Sequence, residues 1–147
     1  MVFKFRYKSL LSYRGHLKEK AEIEFGSAQR QVLKARQDLD IYETRHYKAR
    51  ISLEQGLMNR MTSEEMGAYS DYMNGMKRKI AAQKQEVTRR EKIAADKRKK
   101  LLEKTKEYRI IEKLMEKDHQ TWTHQQSLVE QKKVDEMSVT RHGRNYH

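Results

Sequence analysis

A chain of 147 residues with a net charge of +12, 37% charged residues, no proline and no cysteine leaves few function classes open. Without cysteine there is no disulfide framework, thiol nucleophile or thiolate metal site, which fits a reducing compartment. Hydrophobic content of 36% with three Phe and one Trp is thin for a globular core and suits two layers of helix better; no apolar run nears the roughly 20 residues of a membrane span, and the opening residues lack the apolar stretch of a signal peptide, so a cytoplasmic protein is expected.

The first predicted element is a helix over about residues 5 to 58. Phe25, Ala28, Val32, Ala35, Leu39, Tyr42, His46, Ala49 and Leu53 follow alternating steps of three and four, and Leu10, Tyr13, Leu17 and Ala21 extend the stripe upstream. The successive four-residue steps from Tyr13 to Phe25 form a stutter that locally unwinds a supercoil. A tight turn over about 59 to 62 is signalled by a capping box at the next helix start: Thr62 can accept from the amide three residues on while Glu65 reaches back, with Met61 and Met66 placed as the hydrophobic staple.

The second predicted helix covers about residues 63 to 138, ahead of a flexible tail over about 139 to 147. Met66, Met73, Ile80, Val87, Ala94, Leu101, Tyr108, Met115, Trp122 and Val129 recur at an unbroken interval of seven. An ideal helix would turn such a stripe off its face by about 20° per heptad, so the strict repeat implies a left-handed supercoil with a partner helix. The expected fold is all-α: one long antiparallel two-helix coiled coil, a single hairpin spanning the chain. Helix two, at about 110 Å, outruns helix one, at about 80 Å. Its far end therefore presents Trp122, Leu128, Val129, Val134 and Met137 without a partner in the chain, as an interaction surface. The seam is not uniformly apolar: the alternate core positions Gln83, Arg90, Lys97 and Lys104 make its middle half polar, which costs stability and sets register. Gly15, Gly26, Gly67 and Gly75 each cost about 1 kcal/mol relative to alanine.

Signals of chemistry are sparse. Arg89, Arg90, Lys92, Lys97, Arg98, Lys99, Lys100, Lys104 and Lys106 crowd helix two, a pattern that reads first as a solvated face and otherwise as a means of steering toward an acidic surface. The sequence has no phosphate loop, dinucleotide fingerprint or HExxH. The histidines, His16, His46, His119, His124, His142 and His147, are not spaced as metal ligands. No catalytic residue, cofactor or metal is expected, and the chain is read as not an enzyme. Tyrosine is more informative. Tyr42, His46 and Tyr47 should lie opposite Tyr69, Tyr72, Met73 and Met76 near the turn; Tyr42, Tyr69, Met73 and Met76 fall on the seam, whereas Tyr47 and Tyr72 fall off it and are suited to anchoring a partner.

The opening Phe3-Lys4-Phe5, the subsequent Leu10-Leu11-Ser12-Tyr13-Arg14, a helix rich in Glu, Ala and Gln, an aromatic-flanked turn and the late Glu130-Gln131-Lys132-Lys133-Val134-Asp135-Glu136 together resemble the FliJ family of flagellar export proteins over nearly the whole chain. The resemblance implies a hairpin similar to the rotor stalk of F-type and V-type ATPases. It also implies a non-enzymatic role in the type III export apparatus, cytoplasmic and peripheral at the flagellar base. The implied partners are the hexameric export ATPase, the cytoplasmic part of the export-gate membrane protein, and export chaperones. It places gate-protein binding at Tyr42, Tyr69, Tyr72 and Met76, with His46 or Tyr47 beside them. By analogy with a rotor stalk the ATPase would contact Phe3, Phe5, Leu10, Met115, Trp122 and Val129.

Three alternatives stand beside this reading. Stalk proteins of virulence type III secretion share the architecture. A nucleic-acid-binding coiled coil would use the basic stretch, but residues 84 to 106 contain no aromatic to stack on bases, so no nucleic-acid partner is expected. A structural homodimer would hide Trp122 against a second copy.

Overall fold

A computed structural model describes residues 2–145; Tyr146 and His147, the end of the expected tail, lie outside the described residues. The chain forms an all-α helical hairpin of two helices, α1 (Lys8–Met58) and α2 (Ser63–Asn145), with no strand among the described residues. Its contacts gather into two compact units, one of Lys20–Leu102 and one of Met1–Glu19 with Glu103–His147.

In the unit Lys20–Leu102 the core is narrow. Ala21, Ala28, Val32, Ala35 and Ala49 of α1 are buried together with Met76 and Val87 of α2. Four of the five α1 residues are alanine, on multiples of seven, so the helices approach closely and each alanine leaves room for a larger side chain opposite. The polar seam positions reach partners. Gln83 Nε2 donates to the Ala35 carbonyl at 2.9 Å, and Arg90 donates to the Gln31 side-chain oxygen and, from Nε at 2.9 Å, to Glu86. Lys97 and Lys100 converge on Glu24 at 3.5 and 3.4 Å, and Arg36 pairs with Glu91 at 2.8 Å. Hydrogen bonds from Arg89 and then Arg90 pull the Glu86 carboxyl down to about 2, so it stays ionised at neutral and mildly acid pH. At Glu24 partial burial pushes upward, but Lys100 and Lys97 together outweigh it and the net shift is downward.

The turn closes this unit. Met61 N–H donates to the Gly56 carbonyl at 2.9 Å, with Arg60 in the left-handed region at φ 57°. This is the six-to-one bond of a Schellman motif in which Arg60 takes the place glycine usually fills. At Gly56 an added Cβ would meet the end of the Met61 side chain, a flexible group that would have to move aside. Thr62 then caps α2, its hydroxyl accepting from Glu65 N–H at 3.2 Å. Among the described residues no bond returns from the Glu65 carboxylate, so half of the expected capping box forms, and Met61 lies against Gly56.

In the second unit α1 starts at Lys8, later than the expected residue 5, because Leu11 N–H finds its first intrahelical acceptor in the Tyr7 carbonyl at 2.9 Å. The aromatic stretch before it is non-helical; Phe5 meets Tyr7 edge to face at 5.8 Å and Arg6 lies over the Tyr7 ring. Ile111 is buried. The Tyr108 ring passes 3.3 Å from where a Cβ of Gly15 would be, with Lys18 Nζ 4.9 Å from its centroid. Gly15, expected only as a weak point, is thus the notch that admits Tyr108. Burial raises the Tyr108 hydroxyl above its usual range, with Glu112 adding to it. Arg14 donates to the Glu107 carbonyl at 2.9 Å, and Lys104 pairs with Glu107. Tyr13 departs from the expected stripe and is 60% exposed: each four-residue step overshoots a turn of 3.6 residues by about 40°, so three steps back from Phe25 carry Tyr13 off the seam. At the other end α2 continues to Asn145, past the expected end near residue 138. No proline interrupts it, and hydroxyls such as Thr140, which donates to the Glu136 carbonyl at 2.8 Å, bond within the helix.

Two substitutions test the local backbone reading. Arg60→Gly removes the left-handed penalty of a residue with a Cβ, and Gly67→Ala gains helix propensity where nothing lies within 4 Å of the added carbon. Each should raise the unfolding free energy by about 1 kcal/mol in urea titrations followed by circular dichroism; a loss in either case would contradict the geometry assigned to that residue.

Candidate partner-binding surfaces

In the unit Lys20–Leu102, near the turn, a groove of about 460 Å³ runs along one side of the helix pair. Small residues line part of it, Ala49 and Ser52 on α1 and the exposed Ala68 on α2. Tyr69 and Tyr72 wall one side, Arg45 and Lys48 the other. The residues predicted for gate binding divide here. Tyr69 and Tyr72 share the groove, with Tyr72 45% exposed. Tyr42 is half-buried beneath Lys79, whose Nζ is 5.9 Å from its ring centroid. His46 is half-buried, its Nε2 without a hydrogen-bond partner. Met76 is core, at 5% exposure, and offers no surface in the free chain. Tyr47, 56% exposed under the Arg50 guanidinium, lies outside the groove. Arg45 and Lys48 are not among the sequence-predicted residues; the signal for them is spacing, since 45, 48, 49 and 52 occupy one strip of α1.

In the other unit Phe3 folds back onto α2. Its ring meets His119 edge to face at 5.0 Å and Trp122 at 5.8 Å, while His119 and Trp122 are 6.0 Å apart. Trp122 is therefore half-buried rather than bare, which corrects the expectation that nothing in the chain covers it. The covering group comes from ahead of α1, where a helical period gives no signal. Met115 borders a second cleft with Phe3, Glu116, His119 and Gln120. Leu10 and Phe5 are half-buried. Beyond this trio apolar side chains of α2 are open, with Leu128 51% and Val129 48% exposed and Val134, Met137 and Val139 exposed as well.

No group of three or more His, Cys, Asp or Glu residues that could hold a metal occurs among the described residues, and among them no helix is long and apolar enough to cross a membrane. What the two surfaces offer is aromatic and apolar area beside cations, the material of protein–protein contacts.

Trp122 is the only tryptophan, so its cover can be tested directly. Phe3→Ala should make Trp122 emission shift to longer wavelength and rise in iodide quenching by about twofold, with the melting temperature within about 2 °C of the parent because no buried residue is lost. Unchanged quenching would show that Phe3 does not cover the indole.

Searches of curated proteins and of solved structures each returned no significant match. A family model described as "Flagellar FliJ protein" matches residues 3–146. That match takes in both units, the aromatic start, the tyrosine-lined groove and the open end of α2, and the chain therefore belongs to the FliJ family, the non-catalytic components of flagellar type III protein export.

Proposed function

We propose that this protein is a binding component of the flagellar export apparatus that engages the hexameric export ATPase through one unit and the cytoplasmic part of the export-gate membrane protein through the other. It works on the cytoplasmic side at the flagellar base and also receives export chaperones. The observation that carries the reading is the set of apolar residues left exposed near the far end of α2, Leu128, Val129, Val134 and Met137, of which Val129 continues the heptad line of Met115 and Trp122 and the others lie on other faces of the helix. Several large apolar side chains left exposed on one segment are characteristic of an interaction surface. Phe3, Phe5, Leu10, Met115, Trp122 and Val129 are the ATPase-binding residues in this reading. Tyr42, His46, Tyr47, Tyr69 and Tyr72 serve the gate protein, and Met76 supports them from the core.

The pairing of the basic residues argues for protein partners over nucleic acid. Arg89 and Arg90 are held by Glu86, and Lys97 and Lys100 by Glu24, so four cations of the basic stretch are already engaged. The flagellar family match favours the flagellar apparatus over a virulence secretion stalk.

The test is Leu128→Asp with Val129→Asp. Both side chains are about half exposed, so helicity and melting should stay near those of the parent, while affinity for the purified export ATPase should fall at least about tenfold. In the parent, adding ATPase should shift Trp122 emission to shorter wavelength and adding duplex DNA should not. Undiminished ATPase binding by the double variant, or a response to DNA alone, would overturn the assignment.

A further inference from the structure

The groove near the turn carries a chemical preference set by its charges. On α1 the strip that borders it runs Ile41, Arg45, Lys48 and Ser52, and on α2 the facing strip runs Ala68, Tyr72, Gly75 and Lys79. Steps of four, three and four keep each set on one face of its helix, and neither set contains an acid. Glu43 and Glu54 fall on other faces by the same spacing, and Glu54 is engaged by Arg50 at 3.9 Å; Asp71, three residues from Ala68 and four from Gly75, flanks the α2 strip, but no acid lines the groove itself. Arg45 and Lys48 make no ion pair or hydrogen bond among the described residues, in contrast with Arg36, Arg89, Arg90, Lys97 and Lys100 of the same unit. Two uncommitted cations thus stand on the rim of an apolar cleft of about 460 Å³ walled by Tyr69 and Tyr72.

We propose that this groove receives a short acidic segment of a partner protein. One aromatic or aliphatic side chain of the segment sits between Tyr69 and Tyr72 over Ala49 and Ala68, and flanking carboxylates meet Arg45 and Lys48. The small lining residues Ala49, Ser52 and Ala68 leave room for a side chain, the phenol rings supply apolar surface beside it, and the guanidinium of Arg45 offers a fork that matches a carboxylate in two hydrogen bonds. With two cations and no acid among the residues that line it, the groove disfavours a basic segment and draws an acidic one. The inference rests on the reading of the turn-proximal surface as a partner site and adds the chemistry of the segment that enters it.

The full-length chain is titrated with a fluorescein-labelled, end-capped hexapeptide Asp-Glu-Phe-Leu-Glu-Asp, with a version carrying Lys at the four acidic positions, and with one carrying Ala for Phe and Leu. The acidic peptide should bind saturably and at least about tenfold tighter than either control. Arg45→Glu with Lys48→Glu should remove that binding, whereas Lys92→Glu with Lys99→Glu, the same charge change away from the groove, should alter it by less than about twofold. Equal losses from the two charge reversals, equal affinity for the acidic and lysine peptides, or no saturable binding would overturn the proposal. Titrating the same variants with the cytoplasmic part of the gate protein separates the two readings. If the groove reversal abolishes peptide binding but leaves gate-protein affinity intact, the groove stands and the gate assignment falls. If Tyr72→Ala weakens the gate protein while the peptide shows no charge preference, the gate assignment stands and the acidic-segment inference falls.

Discussion

Everything in this hairpin depends on how the polar half of its seam is satisfied. Along α2 one seven-residue series begins at Met76 and ends at Ile111, both buried, and between them it places Gln83, Arg90, Lys97 and Lys104. Polar groups drawn toward an interface this narrow weaken it unless they find partners, although the side chains of Arg90, Lys97 and Lys104 stay 31%, 39% and 27% exposed. Each has a partner: Gln83 on the Ala35 carbonyl, Arg90 on Gln31 and Glu86, Lys97 on Glu24, Lys104 on Glu107. The cross-helix partners among these also fix alignment, because sliding one helix by a turn would separate Gln83, Arg90 and Lys97 from their α1 acceptors together.

The same constraint leaves the aromatics free for other work. Alanines at 21, 28, 35 and 49 keep the interface slim, so large side chains that a globular core would have swallowed remain on the flanks. Tyr69 and Tyr72 line a groove, and Leu128 and Val129 stand open. A binding protein built this way spends little of its apolar surface on its own fold. The Gly15 notch is the exception, where backbone space is given up so that Tyr108 can pack.

How far this was legible in the sequence depends on which signals are periodic. The seven-residue repeat, the absence of proline and the Thr62 cap are enough to place two helices, their facing stripes and the turn between them, and whole-chain resemblance reaches the family. Features set by single contacts are not periodic and escape such a reading. Phe3 covering Trp122 depends on a non-helical segment, and Tyr13 leaves the seam because four-residue steps rotate it away; the seam position of Met76, by contrast, is periodic and legible. Arg45 and Lys48 were hidden in a general excess of positive charge, and only the facing alanines and tyrosines single them out. Arg60 in the left-handed region has no sequence signal, since glycine would be the residue to look for there.

Pairing of α1 with α2 inside one chain is the central claim, and both binding surfaces depend on it. Phe25, Val32 and Ala94 border one groove, which sets Ala28, buried one turn from each α1 member, against Ala94. Cysteines at Ala28 and Ala94, in a chain that has none of its own, should be joined by a short bismaleimide within single molecules, giving a compact monomer whose yield does not change on dilution. Joining that occurs only between chains and disappears on dilution would contradict the hairpin and every surface derived from it.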